Sequence, residues 1–338
     1  MIFRIFLVIV LAISLQAKTT KKLTGMYAKD KEVKRFINYM IRKHNFKRSY
    51  LIDVFSKARK PKRLKIKQKR RKIATGVARG KKWWLRSSGY TKFEKSFLAE
   101  DRVRQGVKFL KRYKTALSRI EKKYKVDKEI IVAIIGIETY YGEIKGHYET
   151  FNALAYNAFK GKKRKRFFKY ELENLLLLAY RQKLNIRLLK SSIYGALGIG
   201  QLVPHSYIKY GVDFDRNGKI EPFSYIDTMA TVANFLHHKG WKLHKNVAIR
   251  ASYEGMRFKS LKTNTKRYYT LDDLYLHDIL PRKKFKERRF RLIKLKRAEF
   301  DELWLTFKNF YVLRRYNASN YYAMSVFQLA HEIKKRAK

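Results

Sequence analysis

The chain has 338 residues, with 81 lysines and arginines against 27 acids, a formal charge of +54, and no cysteine. Hydrophobic residues make up 46% and aromatics 15%, so this is a folding chain and not a disordered polycation. The charge calls for a polyanionic partner (nucleic acid, acidic lipid head groups or a carboxylate-bearing wall polymer), and the missing thiols exclude disulfides and lipid attachment at a cysteine.

Residues 1–17, MIFRIFLVIVLAISLQA, combine Arg4, an apolar run from Ile5 to Leu15 and Ala17 at a cleavage point. That is the layout of a secretory signal peptide. The bulky Leu15 leaves an uncleaved anchor as the alternative. Export argues against nucleic acid as the partner and places the mature chain in the periplasm or outside the cell. Residues 18–86 read as a small helical N-terminal part followed by a basic linker. Two short helices meet at His44–Asn45, with Phe36, Met40 and Ile41 on one apolar face and Leu51, Val54 and Phe55 on the next. Residues 56–86 then carry fifteen lysines or arginines and no acid, a solvated linker or a binding element. Trp83 and Trp84 are expected to dock onto the next domain, or to sit at an interface with lipid or sugar.

Residues 87–241 hold the long helical patterns. One helix is expected from Ala99 through Tyr124, with Val103, Val107, Leu110, Tyr113, Leu117 and Ile120 on a single stripe. Asp127 is placed to cap the next helix and Gly142 to stop it. That helix includes IVAIIGIETYYG (131–142), whose only charge is Glu138. A buried carboxylate is costly, so it is either satisfied by hydrogen bonds or cations, or held protonated near neutral pH as a general acid. A further helix, FFKYELENLLLLAYRQ, turns Leu172, Leu175, Leu176 and Ala179 inward. SSIYGALGIGQLVPHSY (191–207) follows, with three glycines in six residues. These bring backbone close to a ligand or let helices pack tightly.

Residues 242–308 change to period-two, β-branched character and read as a small strand-rich insertion. Residues 309–338 return to helix through a turn rich in tyrosine and asparagine. Asp213, Asp215 and Asn217 stand at positions 1, 3 and 5 of a calcium-loop pattern, with Gly218 at 6 and the carbonyl of Lys219 at 7. Position 12 is Ser224 and not glutamate, while Asp227 lies three residues on, so an Asx-rich turn without metal is the competing reading. The sequence has no HExxH, no GxSxG and no phosphate-cradling glycine loop, and His237–His238 read as exposed.

GIETYYG, YGALGIGQLVPHSY, VDFDRNGKIEPFSYIDTMATVANFLHHKGW and NFYVLRRYNASNYYAMSVFQL together resemble the lytic murein transglycosylase B family, in order and spacing from about residue 32 onward. The resemblance implies a mainly α fold: a lysozyme-like helical catalytic core, a small helical N-terminal domain and a small β-rich inserted domain. It implies cleavage of peptidoglycan between N-acetylmuramic acid and N-acetylglucosamine with formation of 1,6-anhydromuramoyl ends. Glu138 matches the family's catalytic carboxylate. Ser192, Gln201, Tyr316, Asn317 and Tyr322 fall on positions that line the glycan groove or hold that glutamate. Only Arg164 of Lys162-Lys163-Arg164 matches a basic ligand position, and Phe93 and Phe235 replace common tyrosines. Asp213, Asp215, Asn217, Lys219 and Asp227 match a Ca²⁺ loop, and the displaced Asp227 is the family's own arrangement. The implied partner is the glycan strand, with an anionic membrane surface as a second candidate, no nucleic acid, no organic cofactor, and a monomeric chain. A non-catalytic wall-binding scaffold and a hydrolytic muramidase are the alternatives.

Overall fold

The computed structural model describes residues 22–62, 89–263, 266–297 and 300–338. The signal-like segment 1–17 and most of the basic segment 56–86, including Trp83 and Trp84, lie outside the described residues. The chain divides between residues 59 and 60 into two compact units.

In the first unit α1 (Lys31–His44) begins at Asp30, whose Oδ1 accepts from the Glu32 and Val33 amides at 3.0 and 3.2 Å. It ends where Asn45 turns left-handed, and α2 (Arg48–Ser56) packs back on it. Phe36, Met40, Leu51, Val54 and Phe55 are buried as their spacing predicts, while Ile37 takes the core position expected of Ile41.

The second unit opens with α3 (Tyr90–Phe97), α4 (Glu100–Arg112), α5 (Lys114–Tyr124) and α6 (Lys128–Thr139). The single helix expected from Ala99 to Tyr124 is therefore two. Tyr113 leaves α geometry (φ −107°, ψ 23°) as its ring lies 4.7 Å from Phe109 and stacks on Tyr225 at 5.4 Å. Asp127 sits at the start of α6 but does not cap it. Its carboxylate accepts the Trp241 indole N–H at 2.9 Å and faces the His244 ring at 2.8 Å, and Glu121 takes the Lys128 amide instead. Ring N–H donors outside the helix have won the carboxylate. Gly142 does not end α6 alone either, because Tyr140 and Tyr141 already adopt positive φ at 50° and 57°.

β1 (Tyr148–Glu149) leads into α7 (Thr150–Phe159) and α8 (Lys165–Arg181), and β2 (Lys190–Ser191) pairs antiparallel with β1. On α8, Leu172, Leu175, Leu176 and Ala179 are buried as expected. α9 (Pro204–Tyr210) and α10 (Tyr225–His238) precede a five-stranded antiparallel sheet. Its members are β3 (Ala248–Tyr253), β4 (Tyr268–Tyr269), β5 (Ile279–Pro281), β6 (Phe290–Lys296) and β7 (Asp301–Thr306), in the order β4-β6-β7-β3-β5. α11 (Leu271–Tyr275) lies between β4 and β5. Leu292 opposite Leu305 and Ala251 opposite Leu303 give the sheet one apolar face, filled by Phe258, Phe290 and Phe307. α12 (Lys308–Tyr316) and α13 (Asn320–Ala337) close the chain, with α13 packed on α6 and α4.

Candidate active site

α6 is apolar on every side, and Ile130 through Ile135 are each at most 5% exposed. Its burial leaves Glu138, in the last turn, as the one ionisable group of the buried stretch 130–139. Glu138 keeps some accessible surface, yet the packing around its carboxyl is that of an interior group. Burial raises its pKa from the ordinary 4.5 to about 7, and the Tyr322 hydroxyl, donating to Oε1 at 2.7 Å, opposes that rise. Burial and then the Glu138 charge push the Tyr322 phenol well above its usual range, so it remains a donor.

Tyr322 reaches Glu138 because Ser319 caps α13, its Oγ accepting from the Tyr322 amide at 3.3 Å, and Asn317 Oδ1 in turn accepts from the Ser319 amide at 3.1 Å. The ring of Tyr316 lies parallel to that of Tyr322, 6.4 Å away, and its hydroxyl donates to the Gly200 carbonyl. Phe235 of α10 meets Tyr316 edge-on at 5.2 Å. The Phe235 ring offers Tyr316 no hydroxyl.

The glycine-rich turn is fastened to α6 through Thr139. The Thr139 hydroxyl donates to the Ile199 carbonyl at 2.8 Å and accepts from the Gly142 amide at 3.1 Å. Gly198 needs its positive φ of 77°, and a Cβ there would stand 2.3 Å from the Pro222 carbonyl oxygen. Close packing therefore explains this glycine without a ligand. Gln201, also left-handed at φ 49°, donates through Nε2 to the Gly198 carbonyl at 2.9 Å, and its Oε1 has no protein donor among the described residues. Ser192 Oγ accepts from the Tyr194 and Ala196 amides at 3.3 and 3.2 Å, and its own proton has no acceptor among the described residues.

Glu138, Tyr322, Tyr316 and the Gly200–Gln201 backbone are thus brought together by hydrogen bonds and ring contacts. Asn317 is exposed and touches them only through the Ser319 cap. Arg164 is exposed in a left-handed residue before α8, its guanidinium 4.2 Å from the Phe167 ring. Thr139 and Arg102 escaped the sequence reading. Arg102 is buried, donates to the Gly136 carbonyl of α6 and lies over the Tyr140 ring at 4.8 Å. Among so many cations, one buried arginine carries no sequence signal.

Asp213, Asp215 and Asp227 each offer an oxygen to one point, all within 4.8 Å of one another. The loop around them is wound by its own amides: Gly218 N donates to Asp213 Oδ2 at 2.9 Å, and the Phe214 and Glu221 amides donate to the two oxygens of Asp227 at 2.9 and 3.1 Å. Burial raises the Asp227 pKa above its usual value. Among the described residues no lysine or arginine pairs with the three acids, so the oxygen-rich donor set fits a hard divalent cation. Asn217 adds an amide oxygen, which accepts from the Lys219 amide at 2.9 Å.

A family model described as a transglycosylase SLT domain matches residues 28–331. The chain is 32% identical over 313 residues to the membrane-bound lytic murein transglycosylase B of Escherichia coli (strain K12), covering 91% of this chain and 84% of that one. The chain belongs to the lytic murein transglycosylase B family. The structure of Escherichia coli lytic transglycosylase SLT35 in complex with bulgecin A superposes with a TM-score of 0.82 at 31% identity, over 95% of this chain and 98% of that one. SltB1 from Pseudomonas aeruginosa gives a TM-score of 0.77 at 30% identity, over 90% of this chain and 99% of its own. The fold is accordingly mainly α with a lysozyme-like core and a small sheet domain.

Proposed function

We propose that Glu138 is the acid and base of a non-hydrolytic cleavage, in which this lytic transglycosylase, a lyase of peptidoglycan, leaves 1,6-anhydromuramoyl ends. The observation that carries the reading is the Glu138 carboxyl, held near neutrality by desolvation and oriented by one phenol. Protonated Glu138 gives its proton to the oxygen linking N-acetylmuramic acid to N-acetylglucosamine as that bond breaks. The acetamido oxygen of the same muramoyl unit meets the charge developing at the anomeric carbon. The Glu138 carboxylate then takes the proton of the muramoyl 6-hydroxyl as that oxygen bonds to the anomeric carbon. The carboxyl ends protonated, and no water is consumed. Burial suits both halves, because a pKa of about 7 balances donor and acceptor forms at neutral pH.

Tyr322 holds the carboxyl, and Tyr316 holds Tyr322 and the Gly200 backbone. The Ser192 proton and Gln201 Oε1, without partners among the described residues, and the Asn317 side chain are polar groups available to the glycan, with Arg164 a cation for its acidic peptide. We infer that Asp213, Asp215, Asn217, the Lys219 carbonyl and Asp227 hold Ca²⁺, which orders the 213–227 loop. SLT35 has been solved in complex with calcium. Residues 1–17 read as a leader, the Escherichia coli relative is membrane-bound, and the working compartment we propose is the periplasm.

The test is mass analysis of soluble products from insoluble murein, with wild type and Glu138→Gln side by side. Anhydromuramoyl products that vanish with the variant are expected. Reducing ends one water heavier would make the enzyme a muramidase. Wall binding without release from either protein would leave only a scaffold.

A further inference from the structure

Where the sheet meets α12, a cavity of about 670 Å³ is lined by eight lysine and arginine side chains and a single acid, Glu287. Glu287 is occupied by Asn246, whose Nδ2 donates to both of its oxygens at 3.1 and 3.2 Å. Among the described residues none of the eight cations is in an ion pair. Arg291 of β6 stands between two tyrosines, its guanidinium carbon 4.1 Å from the Tyr268 ring and 4.1 Å from the Tyr311 ring. Its Nε is buried without an acceptor. The Thr306 hydroxyl donates to the Arg291 carbonyl at 2.9 Å and lies 2.7 Å from the Tyr311 hydroxyl, so strand and ring are held in place together. Phe307, at the start of α12 beside the same cavity, supplies no side-chain cap, and the Phe310 amide turns back to the Phe307 carbonyl at 3.0 Å.

Like charges gathered around a concavity repel one another until an anion enters. A planar guanidinium fixed between aromatic faces is suited to a carboxylate or phosphate fork. The shape discriminates further. A bilayer surface cannot follow a concave site, and one small inorganic anion leaves most of this volume empty, whereas a short peptide matches it. The cavity also adjoins the elements that carry the reactive centre: Lys239 on its rim lies 5.3 Å over the Phe235 ring, which abuts Tyr316.

We propose that this cavity binds the carboxylate-bearing stem peptides of peptidoglycan, with Arg291 as the fork and Lys286 and Arg289 as supporting cations. The assignment rests on the reading of the chain as an enzyme of that polymer. It adds a site separate from the glycan groove, through which a peptide holds its strand against the enzyme.

Titration calorimetry of the full chain with isolated murein stem tetrapeptide tests it. Saturable binding is expected, absent when the peptide carboxyls are methyl-esterified. Arg291→Lys keeps the charge and loses the fork, and weakens binding about tenfold. The double variant Lys286→Gln/Arg289→Gln changes two exposed side chains, and is expected to weaken binding about as much with an unaltered melting temperature. Affinity unmoved by both variants, equal binding of the ester, or stronger binding of inorganic phosphate or phosphatidylglycerol vesicles than of the peptide would each overturn the assignment. Release of sugar from insoluble murein, measured in parallel, separates the two readings. Release without peptide binding refutes the cavity assignment alone, and peptide binding without release refutes the reaction.

Discussion

The Tyr322 hydroxyl donates to Glu138 Oε1 at 2.7 Å across 184 residues of sequence, and Tyr316 lies parallel beneath it. This bond favours the ionised carboxyl, so its loss lets burial raise the Glu138 pKa further. For Tyr322→Phe, we expect the alkaline limb of the pH–rate profile to move upward and the maximal rate to fall about tenfold. A lowered rate with an unmoved limb would mean that Tyr322 serves only packing.

Glu138→Gln should be inactive and, above neutrality, more stable than wild type. The folded carboxyl holds its proton up to about pH 7, while in the unfolded chain it is lost near 4.5. Between those values the folded state binds more protons, so wild-type stability falls as pH rises through the window and the loss is complete above it. The shift corresponds to at most ~3 kcal/mol, and the remaining solvent contact reduces this to ~1–2 kcal/mol. Urea unfolding at about pH 8 should show the variant ahead by that margin, with the advantage shrinking to nothing toward pH 4. A constant difference at all pH values would contradict a raised Glu138 pKa.

Thr139→Val removes the hydroxyl that joins the Ile199 carbonyl to the Gly142 amide. Both groups are then left buried and unpaired, at a cost of about 1–3 kcal/mol. Chemical denaturation should show this loss, together with a reduced turnover from a displaced Gly200–Gln201 backbone. Unchanged stability would remove Thr139 from the framework.

Gly198→Ala would place a methyl 2.3 Å from the Pro222 carbonyl oxygen at a φ of 77°. Backbone cannot yield there as a flexible side chain would, so about 1–3 kcal/mol of destabilisation is expected by thermal or chemical denaturation.

For the acidic loop, added Ca²⁺ should raise the melting temperature of wild type and a chelator should lower it, with no response in Asp227→Asn. The shift should follow ligand linkage, about 2.7 kcal/mol at a hundred times the dissociation constant. An identical response in the variant would place the ion elsewhere.

Much of this was legible in the residues. Periodicity marked the buried faces of α1, α2 and α8, and the strand-rich stretch expected over 242–308 holds β3, β6 and β7. A lone acid in an apolar helix singled out Glu138, and the spacing of Asp213, Asp215 and Asn217 singled out the acidic loop, but each local signal left a structural alternative open and the family resemblance supplied the role. Stops set by distant partners were not legible. Tyr113 breaks its helix for the sake of Tyr225, and Asp127 abandons a cap for Trp241 and His244.

Sequence alone therefore determined most of the helical and strand-rich segments, their apolar faces, and that one glutamate would stand in an apolar helix, since each depends on neighbours within a few turns. Only the tertiary structure decided that Glu138 meets a phenol from α13, that Arg102 is buried against α6, and that eight cations without an ion pair among the described residues surround one cavity. Those outcomes depend on which surfaces meet after folding, where burial and long-range hydrogen bonds decide the ionisation and reach of each side chain.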